Sequence, residues 1–584
     1  MQFPLQIRTF YTFVFWICFS GLIAFVFDFG FEQSNALQTF LTQYYYFVLG
    51  FGVLSTLIRD ITRFLWLKWK VIVFDASTVL LSLFLFYGKF IGFEQQEIQL
   101  VSQYDAWLKL AVLFSLFREF AELKIDLKRT VFNPAQVFIL SFLAIILLGS
   151  FLLMLPKATY SGLSFMDALF TSTSAVCVTG LIVVDTATHF TQLGQTIILI
   201  LIQTGGLGIL TFASYFSYFF KGGTSYETQL ALGDINSSKK LGEVFSTFKY
   251  IILITIGIEL FASGLIYVSL DAAHFTSQNE RMFFAIFHSV SAFCNAGFST
   301  LSAGIYDNAF RFNYFLQFIL ILTFVLGGLG FPIVVNLLSY LRYKLSNIFS
   351  APIQKKTFRP WVLNINSRIT LITTGAISLI AFVLFYLLEY NNTLAEHSEF
   401  GKIITALFGA TTPRTAGFNT IDNAAMSLPT ILLVLLLMWI GASPQSTGGG
   451  IKTSTFAIAT LNILSLGKGK SRIEIYRREI ADISVRRAFA IITLSLIVIG
   501  FAVLLIAAFD PQVRLIDIVF ESISAYSTVG LSLGITASLS NASKFVLILV
   551  MFVGRVSMLS LVIAVIKKVK HKNYAYPLEE INMN

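Results

Sequence analysis

Four short segments carry residues whose types and spacing have chemical meaning. They read FTSTSAVCVTGL over Phe170–Leu181, FHSVSAFCNAGF over Phe287–Phe298, FGATTPRTAGF over Phe408–Phe418 and FESISAYSTVGL over Phe520–Leu531. Each closes on Gly-Leu or Gly-Phe, and Gly180, Gly297, Gly417 and Gly530 stand 117, 120 and 113 residues apart. Glycine admits positive φ and lets main chains approach without a Cβ, so four such turns brought together would present a ring of backbone carbonyls. Carbonyl oxygens can replace the water that a cation sheds on entering a narrow passage. The short helix before each turn would aim its C-terminal end, worth about half a negative charge, at the same centre. One such glycine is commonly a packing contact between helices; four in register mark a repeat.

A second chemical feature lies between the third and fourth segments. Pro429–Ile440 is apolar, Gly441–Thr455 is polar and glycine-rich, and Phe456–Leu466 is apolar again. Gly448, Gly449 and Gly450 each cost roughly 1 kcal/mol relative to alanine in a helix. The stretch is therefore expected to leave the helix and form a loop, tolerated at membrane depth only where it faces a watery path. It is placed to gate that path. The GxxxxGK[ST] spacing of a phosphate-cradling loop is absent here and at Gly467–Ser471. Lys452 and Arg555 are the cations predicted inside the membrane nearby. They would act as an electrostatic barrier or hold the loop closed; the structural alternative is pairing with a carboxylate or helix-end carbonyls. Arg414 and Glu521 are expected to pair behind the turns. His288, at the position equivalent to Glu521, reads as a hydrogen-bonded structural histidine, and Glu259 and Asp75 read as buried, hydrogen-bonded mid-span acids. Cys177 and Cys294 precede their glycines by three residues, as suits small buried side chains. Gly205-Gly206-Leu207-Gly208 and Gly327-Gly328-Leu329-Gly330 predict close helix packing or a bend.

The elements that must position these residues are membrane helices. The 584 residues are 56% hydrophobic and only 12% charged, against about a quarter charged in soluble domains. That balance excludes soluble enzymes. The formal charge of +10 reflects basic cytoplasmic loops rather than nucleic acid. Three cysteines in or beside apolar segments give no disulfide framework or thiolate metal site. Twelve stretches read as spans, at 9–28, 41–58, 71–92, 104–118, 136–156, 195–220, 250–270, 314–340, 369–390, 429–466 (interrupted), 488–509 and 543–566. The first is retained rather than cleaved, because its apolar run exceeds a signal-peptide core and no small-residue site follows. Connections 59–70, 118–129, 221–249, 341–368 and 468–487 and the tail 567–572 hold 29 of the 41 Lys and Arg residues. The alternate connections hold six, so the basic set and both termini are predicted to be cytoplasmic.

Each glycine segment then sits on the outer side between two spans that enter and leave in the same direction. The expected fold is an all-α integral membrane protein with four parallel helix, re-entrant half-helix and helix repeats around a pseudo-fourfold pore. The repeats occupy 131–245, 246–365, 366–485 (with the broken second helix) and 486–572. A module of about four helices over 1–130 precedes them, and 573–584 forms a cytoplasmic tail. The fourth span of that module has only Lys109 and Arg118, not the basic residue at every third position that a voltage sensor carries. A packing or partner-docking module is the expectation there.

The strings SAVCVTGL, QTGGLGIL (Gln203–Leu210), NAGF, TPRTAGFNT (Thr412–Thr420), GASPQSTGGGIKT (Gly441–Thr453) and STVGL resemble the Trk/Ktr/HKT superfamily of potassium transporters, most closely the KtrB-type pore subunit. The resemblance spans roughly 130–570. It implies potassium uptake, with the ion held by backbone carbonyls of a selectivity filter. By position the filter comprises Val178, Thr179, Gly180, Asn295, Ala296, Gly297, Thr415, Ala416, Gly417, Thr528, Val529 and Gly530. The gate comprises Gly448, Gly449, Gly450, Lys452 and Arg555. Some relatives with serine in the first repeat pass sodium; Gly180 here supports potassium. The resemblance further implies no cofactor, K+ as transported ion with Na+ as an activator in many relatives, a homodimer in membrane lipid, and a separate cytosolic nucleotide-binding ring subunit of KtrA or TrkA type. It places the chain in the cell (inner) membrane. Two other classes fit less well. An organic-solute symporter favours inverted repeats, and a membrane enzyme needs convergent histidines, acids or a nucleophile, whereas the five histidines are scattered.

Overall fold

The computed structural model describes residues 5–63, 69–91, 98–122, 134–208, 244–349, 363–556 and 561–562. Parts of the basic connections, namely 64–68, 123–129, 221–243 and 350–362, together with the tail 567–572 and the segment 573–584, lie outside the described residues.

Four helices open the chain: α1 (Leu5–Gly30), α2 (Asn35–Arg63), α3 (Trp69–Ile91) and α4 (Ile98–Glu122). They form a bundle around Val14, Cys18, Tyr45, Leu49, Leu108 and Val112. α4 packs against the other three and carries charges that meet partners on each. Lys109 pairs with Asp28 of α1 at 2.8 Å and with Asp105 of α4 itself at 2.6 Å. Arg118 pairs with Asp75 of α3 at 2.6 Å, and Glu119 pairs with Arg59 of α2. α4 carries three acids, Asp105, Glu119 and Glu122, against two bases, Lys109 and Arg118, so sliding it along its axis would move no net positive charge across the membrane. This is a physical reason against voltage sensing that adds to the sparse basic spacing.

Four units follow, each with a leading helix, a half-helix and a trailing helix. The leading helices are Pro134–Leu153, Val244–Ser269, Ile365–Glu389 and Asp482–Phe509. The half-helices are Phe165–Val176, Gln278–Phe293, Glu399–Thr411 and Leu515–Ser527. With 12 to 16 residues, these are at most about 24 Å long at 1.5 Å per residue, short of the roughly 30 Å hydrocarbon core. Three have serine caps: Ser164, Ser277 and Ser398 accept from the backbone N–H of Asp167, Glu280 and Gly401, satisfying donors a helix start leaves open. The trailing helices are Gln192–Leu207, Tyr314–Leu329, the pair Leu428–Trp439 and Thr453–Gly467, and Asn541–Val556.

The packing of the units is cyclic. The trailing helix of unit one lies against the half-helix of unit two, that of unit two against the half-helix of unit three, that of unit three against the half-helix of unit four, and that of unit four against the half-helix of unit one. Lys544 and Asp167, 3.0 Å apart, tie the seam between the last unit and the first.

Six helices among the described residues are long and apolar enough to cross a membrane: Thr9–Gly30, Asn35–Thr62, Val71–Lys89, Ile251–Ser269, Ile365–Glu389 and Asp482–Phe509. The expected span 104–118 is the charged α4. The spans 195–220 and 543–566 are described as helix only to Leu207 and, continuously, to Val556. One expectation needs correction. The stretch 314–340 is not a continuous span: after Leu329 the chain bends by 107° into a second helix, Phe331–Phe349. Gly330 at φ +84° stops the first piece, and Pro332, lacking an N–H, suits the start of the second. A single interrupted helix was expected, in unit three; unit two is interrupted as well, and the trailing helix of unit one reaches an equivalent glycine, Gly208 at φ +76°.

Candidate ion pathway

The four turns share one backbone conformation. Val178, Asn295, Thr415 and Thr528 have positive φ, between 50° and 79°, and so do the glycines two residues later, between 68° and 91°. The residue between them donates its N–H back to the end of the half-helix: Thr179 to Ser174 O, Ala296 to Ser291 O, Ala416 to Thr412 O and Val529 to Ser524 O, all 2.7–2.9 Å. Hydroxyls finish each turn in one of two ways. Ser174 and Ser524 accept from the N–H of Gly180 and Gly530, 3.0 and 3.1 Å. Ser291 and Thr412 donate to the carbonyls of Phe298 and Phe418, 2.8 and 2.6 Å.

The four glycines meet in a closed cycle. A Cβ on Gly180 would collide with the Ala296 carbonyl, one on Gly297 with Gly417, one on Gly417 with the Val529 carbonyl, and one on Gly530 with the Thr179 carbonyl. Each glycine thus abuts the next unit, and the fourth abuts the first. At these contacts only a residue without a side chain fits. Behind the turns, Gly205, Gly327 and Gly554 of the trailing helices press on the carbonyls of Val176, Phe293 and Tyr526 in their own half-helices, so the paired-glycine motifs pack as well as end helices.

The glycine-rich loop of unit three, Ile440–Lys452, lies against the inner side of these turns. Gly449 N–H donates to Thr528 Oγ1 at 2.9 Å, and Gly448 sits against Thr415. Thr447 Oγ1 donates to Phe293 O of unit two at 3.3 Å, and Ser443 N–H to Gly328 O at 3.0 Å. Phe331 N–H, freed by the bend in unit two, donates to Gln445 O at 3.4 Å. Two cations clasp the loop. Lys452 Nζ donates to Gly448 O at 2.5 Å and Gly449 O at 3.4 Å. Arg555 donates to Thr447 O and, at 2.5 Å, to Gly205 O of unit one. Both therefore rest on carbonyls, the second of the structural alternatives weighed above, and they do so on the glycine loop itself.

Arg414 and Glu521 do not pair. Arg414 turns back to its own leading helix, donating to Thr374 O and Ser378 Oγ at 3.3 and 3.2 Å, and to Gly441 O at 3.4 Å. Glu521 accepts from the hydroxyls of Ser532 and Thr536. His288 makes the equivalent contact in unit two: Nε2 and Ser299 Oγ are 2.9 Å apart, with Nδ1 on Phe284 O at the same distance. Ser299 and Ser532, both two residues beyond their glycines, are braces that the aligned segments miss because each lies one residue past the segment's end. With its amide nitrogen on the Phe324 and Ala292 carbonyls, Asn295 takes the Thr415 hydroxyl at 3.0 Å and links units two and three. Glu259 accepts from Gln203 Nε2 at 3.1 Å, joining the leading helix of unit two to the trailing helix of unit one. Asp75 lies in the N-terminal bundle. Cys177 and Cys294 are buried caps of their half-helices. The described residues contain no cluster of three or more His, Cys, Asp or Glu able to hold a metal ion through side chains.

Comparison with known proteins adds three findings. A protein-family profile described as TrkH, cation transport protein, matches residues 107–575. Ktr system potassium uptake protein B of Bacillus subtilis is 34% identical over 454 residues, covering 77% of this chain and 96% of that protein. Its namesake in Vibrio alginolyticus is 36% identical over 433 residues, covering 73% and 90%, and the potassium/sodium uptake protein NtpJ of Enterococcus hirae is 34% identical over 457 residues, covering 77% and 97%. A crystal structure of the potassium transporter TrkH from Vibrio parahaemolyticus shares the fold, with a TM-score of 0.58 over 84% of this chain and 98% of that one at 18% identity.

Proposed function

The chain belongs to the TrkH family of cation transport proteins, and on that premise we propose that it carries potassium into the cell through the ring formed by its four glycine turns. As a member of a transport family it is not an enzyme. The observation that carries the proposal is the closed cycle of glycines, each abutting the next unit's backbone. Val178, Thr179 and Gly180, with Asn295, Ala296 and Gly297, Thr415, Ala416 and Gly417, and Thr528, Val529 and Gly530, supply the filter. Their carbonyls replace the ion's hydration, and the half-helix ends add about half a negative charge each. An inside-negative potential, about 2.3 kcal/mol per charge per 100 mV, drives entry without catalysis.

Gly448–Gly450 close the path beneath the filter, with Lys452 and Arg555 as clasps. Opening requires the loop to leave Thr415 and Thr528, which frees carbonyls for water and ion. Sodium acts as an activator or second ion, a reading supported by the Enterococcus hirae relative, a potassium/sodium uptake protein. The charge bias puts both termini and the basic loops on the cytoplasmic side of the cell membrane. There the exposed hairpin Glu474–Ile475 with Arg478–Glu479 and the neighbouring Lys470 and Arg472 offer a docking face for a cytosolic nucleotide-binding ring subunit, with two copies of this chain assembled side by side.

The test is flux into vesicles containing the purified protein. Rubidium or potassium entry driven by an inside-negative potential, with sodium entering poorly, is the expected result. No cation entry under that potential, in protein shown to be folded, would overturn the proposal.

A further inference from the structure

The N-terminal bundle holds a group of charges that transport leaves without a role. Arg59 of α2, Asp75 of α3, and Arg118 and Glu119 of α4 are each at most 2% exposed. Arg118 Nε donates to Asp75 Oδ1 at 2.6 Å. Arg59 donates to Glu119 Oε1 and, at 3.1 Å, to Ser55 Oγ. Asp60, the next residue along α2, is half-buried and brings its carboxyl within hydrogen-bonding reach of Asp75. From α1, Tyr11 places its ring 5.4 Å from the Arg59 guanidinium, and Cys18 lies near Arg59 and Glu119. Among the described side chains, three acids therefore face two bases.

Three oxygens in this group have no donor among the described residues, Glu119 Oε2 and one from each aspartate. Asp60 Oδ1 and Asp75 Oδ2 are buried, and neither accepts a hydrogen bond among the described residues. Two ionised carboxylates cannot stably face each other in a low dielectric, and removing each charge from water costs several kcal/mol unless it is compensated. One proton resolves both problems: it turns one carboxylate into an O–H donor for the other and cancels the excess charge. An alkali ion would need a shell of oxygens, and little beyond these two and Glu119 Oε2 is unclaimed. The outer charges of the same bundle make the contrast. Asp28, Asp105 and Lys109 are also two acids to one base, but the Asp105 side chain is 34% exposed, so water carries the excess.

We propose that Asp60 and Asp75 form a proton-binding site within the N-terminal bundle, loaded through Asp60 from the end of the bundle that carries Arg59 and Arg118. The proton bonds covalently to one carboxyl oxygen and hydrogen-bonds to the other, and no other bond changes. The site stands independently of which ion the glycine ring carries.

Infrared difference spectra of the full-length protein in lipid, recorded between acidic and alkaline conditions, test this together with a count of protons released. The expected result is a carbonyl-stretch band of a protonated, buried carboxyl that is lost in Asp60→Asn, with one proton fewer released per chain. Asparagine is chosen because its amide N–H can still donate to Asp75. Asp75→Asn is the second variant, in case the first does not fold, and is expected to lose the same band. Asp105→Asn is expected to keep it. A band and proton count unchanged in both Asp60→Asn and Asp75→Asn would overturn the site. So would loss of the band in Asp105→Asn, or a release that follows sodium or potassium concentration rather than pH.

Discussion

The N-terminal bundle and the glycine ring both hold cations at membrane depth, and they satisfy them by different means. In the bundle, Arg59, Lys109 and Arg118 each meet a carboxylate from another helix. Around the ring, Arg414, Lys452 and Arg555 rest on carbonyl and hydroxyl oxygens, with no ion-pair partner among the described residues. The difference is one of reversibility. Separating a buried ion pair strands two charges, so the bundle is fixed in one arrangement. A cation leaving a carbonyl strands one charge and a dipole, and water or a passing ion can take over the dipole. Fixed charges suit a support; exchangeable ones suit a path that opens.

The largest effect that would break this contrast lies in the bundle. Arg118→Ala leaves Asp75 buried without its cation and is expected to destabilise the protein by about 3–5 kcal/mol, read as a lowered melting temperature in detergent. Adding Asp75→Asn to Arg118→Gln is expected to recover much of the loss. If Arg118→Ala melts like the parent, the bundle is not locked by its pairs. Next in size is the ring. Gly180→Ser places a side chain at φ +88°, costing about 1–2 kcal/mol for the left-handed backbone, and drives its Cβ into the Ala296 carbonyl. A displaced carbonyl loses its fit to potassium, so preference over sodium in competitive flux is expected to fall by about tenfold or more, since each 1.4 kcal/mol is a factor of ten. The cyclic contacts predict a comparable loss for Gly417→Ser and Gly530→Ser. An unchanged preference in all three would remove the ring from selectivity.

The repeat was legible because glycine spacing and the Phe-to-Gly strings recur in one chain, and the loop at Gly448–Gly450 because three glycines oppose a helix. The bend at Gly330 was less so. Its apolar flanks read as one span, and Gly327-Gly328-Leu329-Gly330 admitted either close packing or a bend. The Arg414–Glu521 pairing failed because one-dimensional alignment says which turn a residue belongs to, not which way its side chain leaves it: Arg414 points to its own leading helix, whereas Glu521 faces the loop beyond the turn. The pairs of the bundle were out of reach for a related reason. Asp75 looked like an isolated mid-span acid, since its partner Arg118 is 43 residues away and only helix packing brings them together.

Lys452→Ala tests exchangeability directly. It removes two charged hydrogen bonds to the loop, worth about 1.5–3 kcal/mol each at most, and is expected to raise rubidium flux by about ten- to a hundredfold if the closed loop predominates at rest. Parental flux in a well-folded variant would mean that Lys452 merely packs. The smallest effect returns to the bundle and separates its two charge groups. Asp105→Asn removes a carboxylate that water already solvates, while Lys109 keeps Asp28 at 2.8 Å. The change is expected to cost under about 1 kcal/mol, as for exposed pairs, visible as a shift of a few degrees at most in the same melting assay. A loss as large as that of Arg118→Ala would mean that the outer triad is as dry as the inner group, and the distinction between a solvated excess charge and a proton-bound one would lose its physical basis.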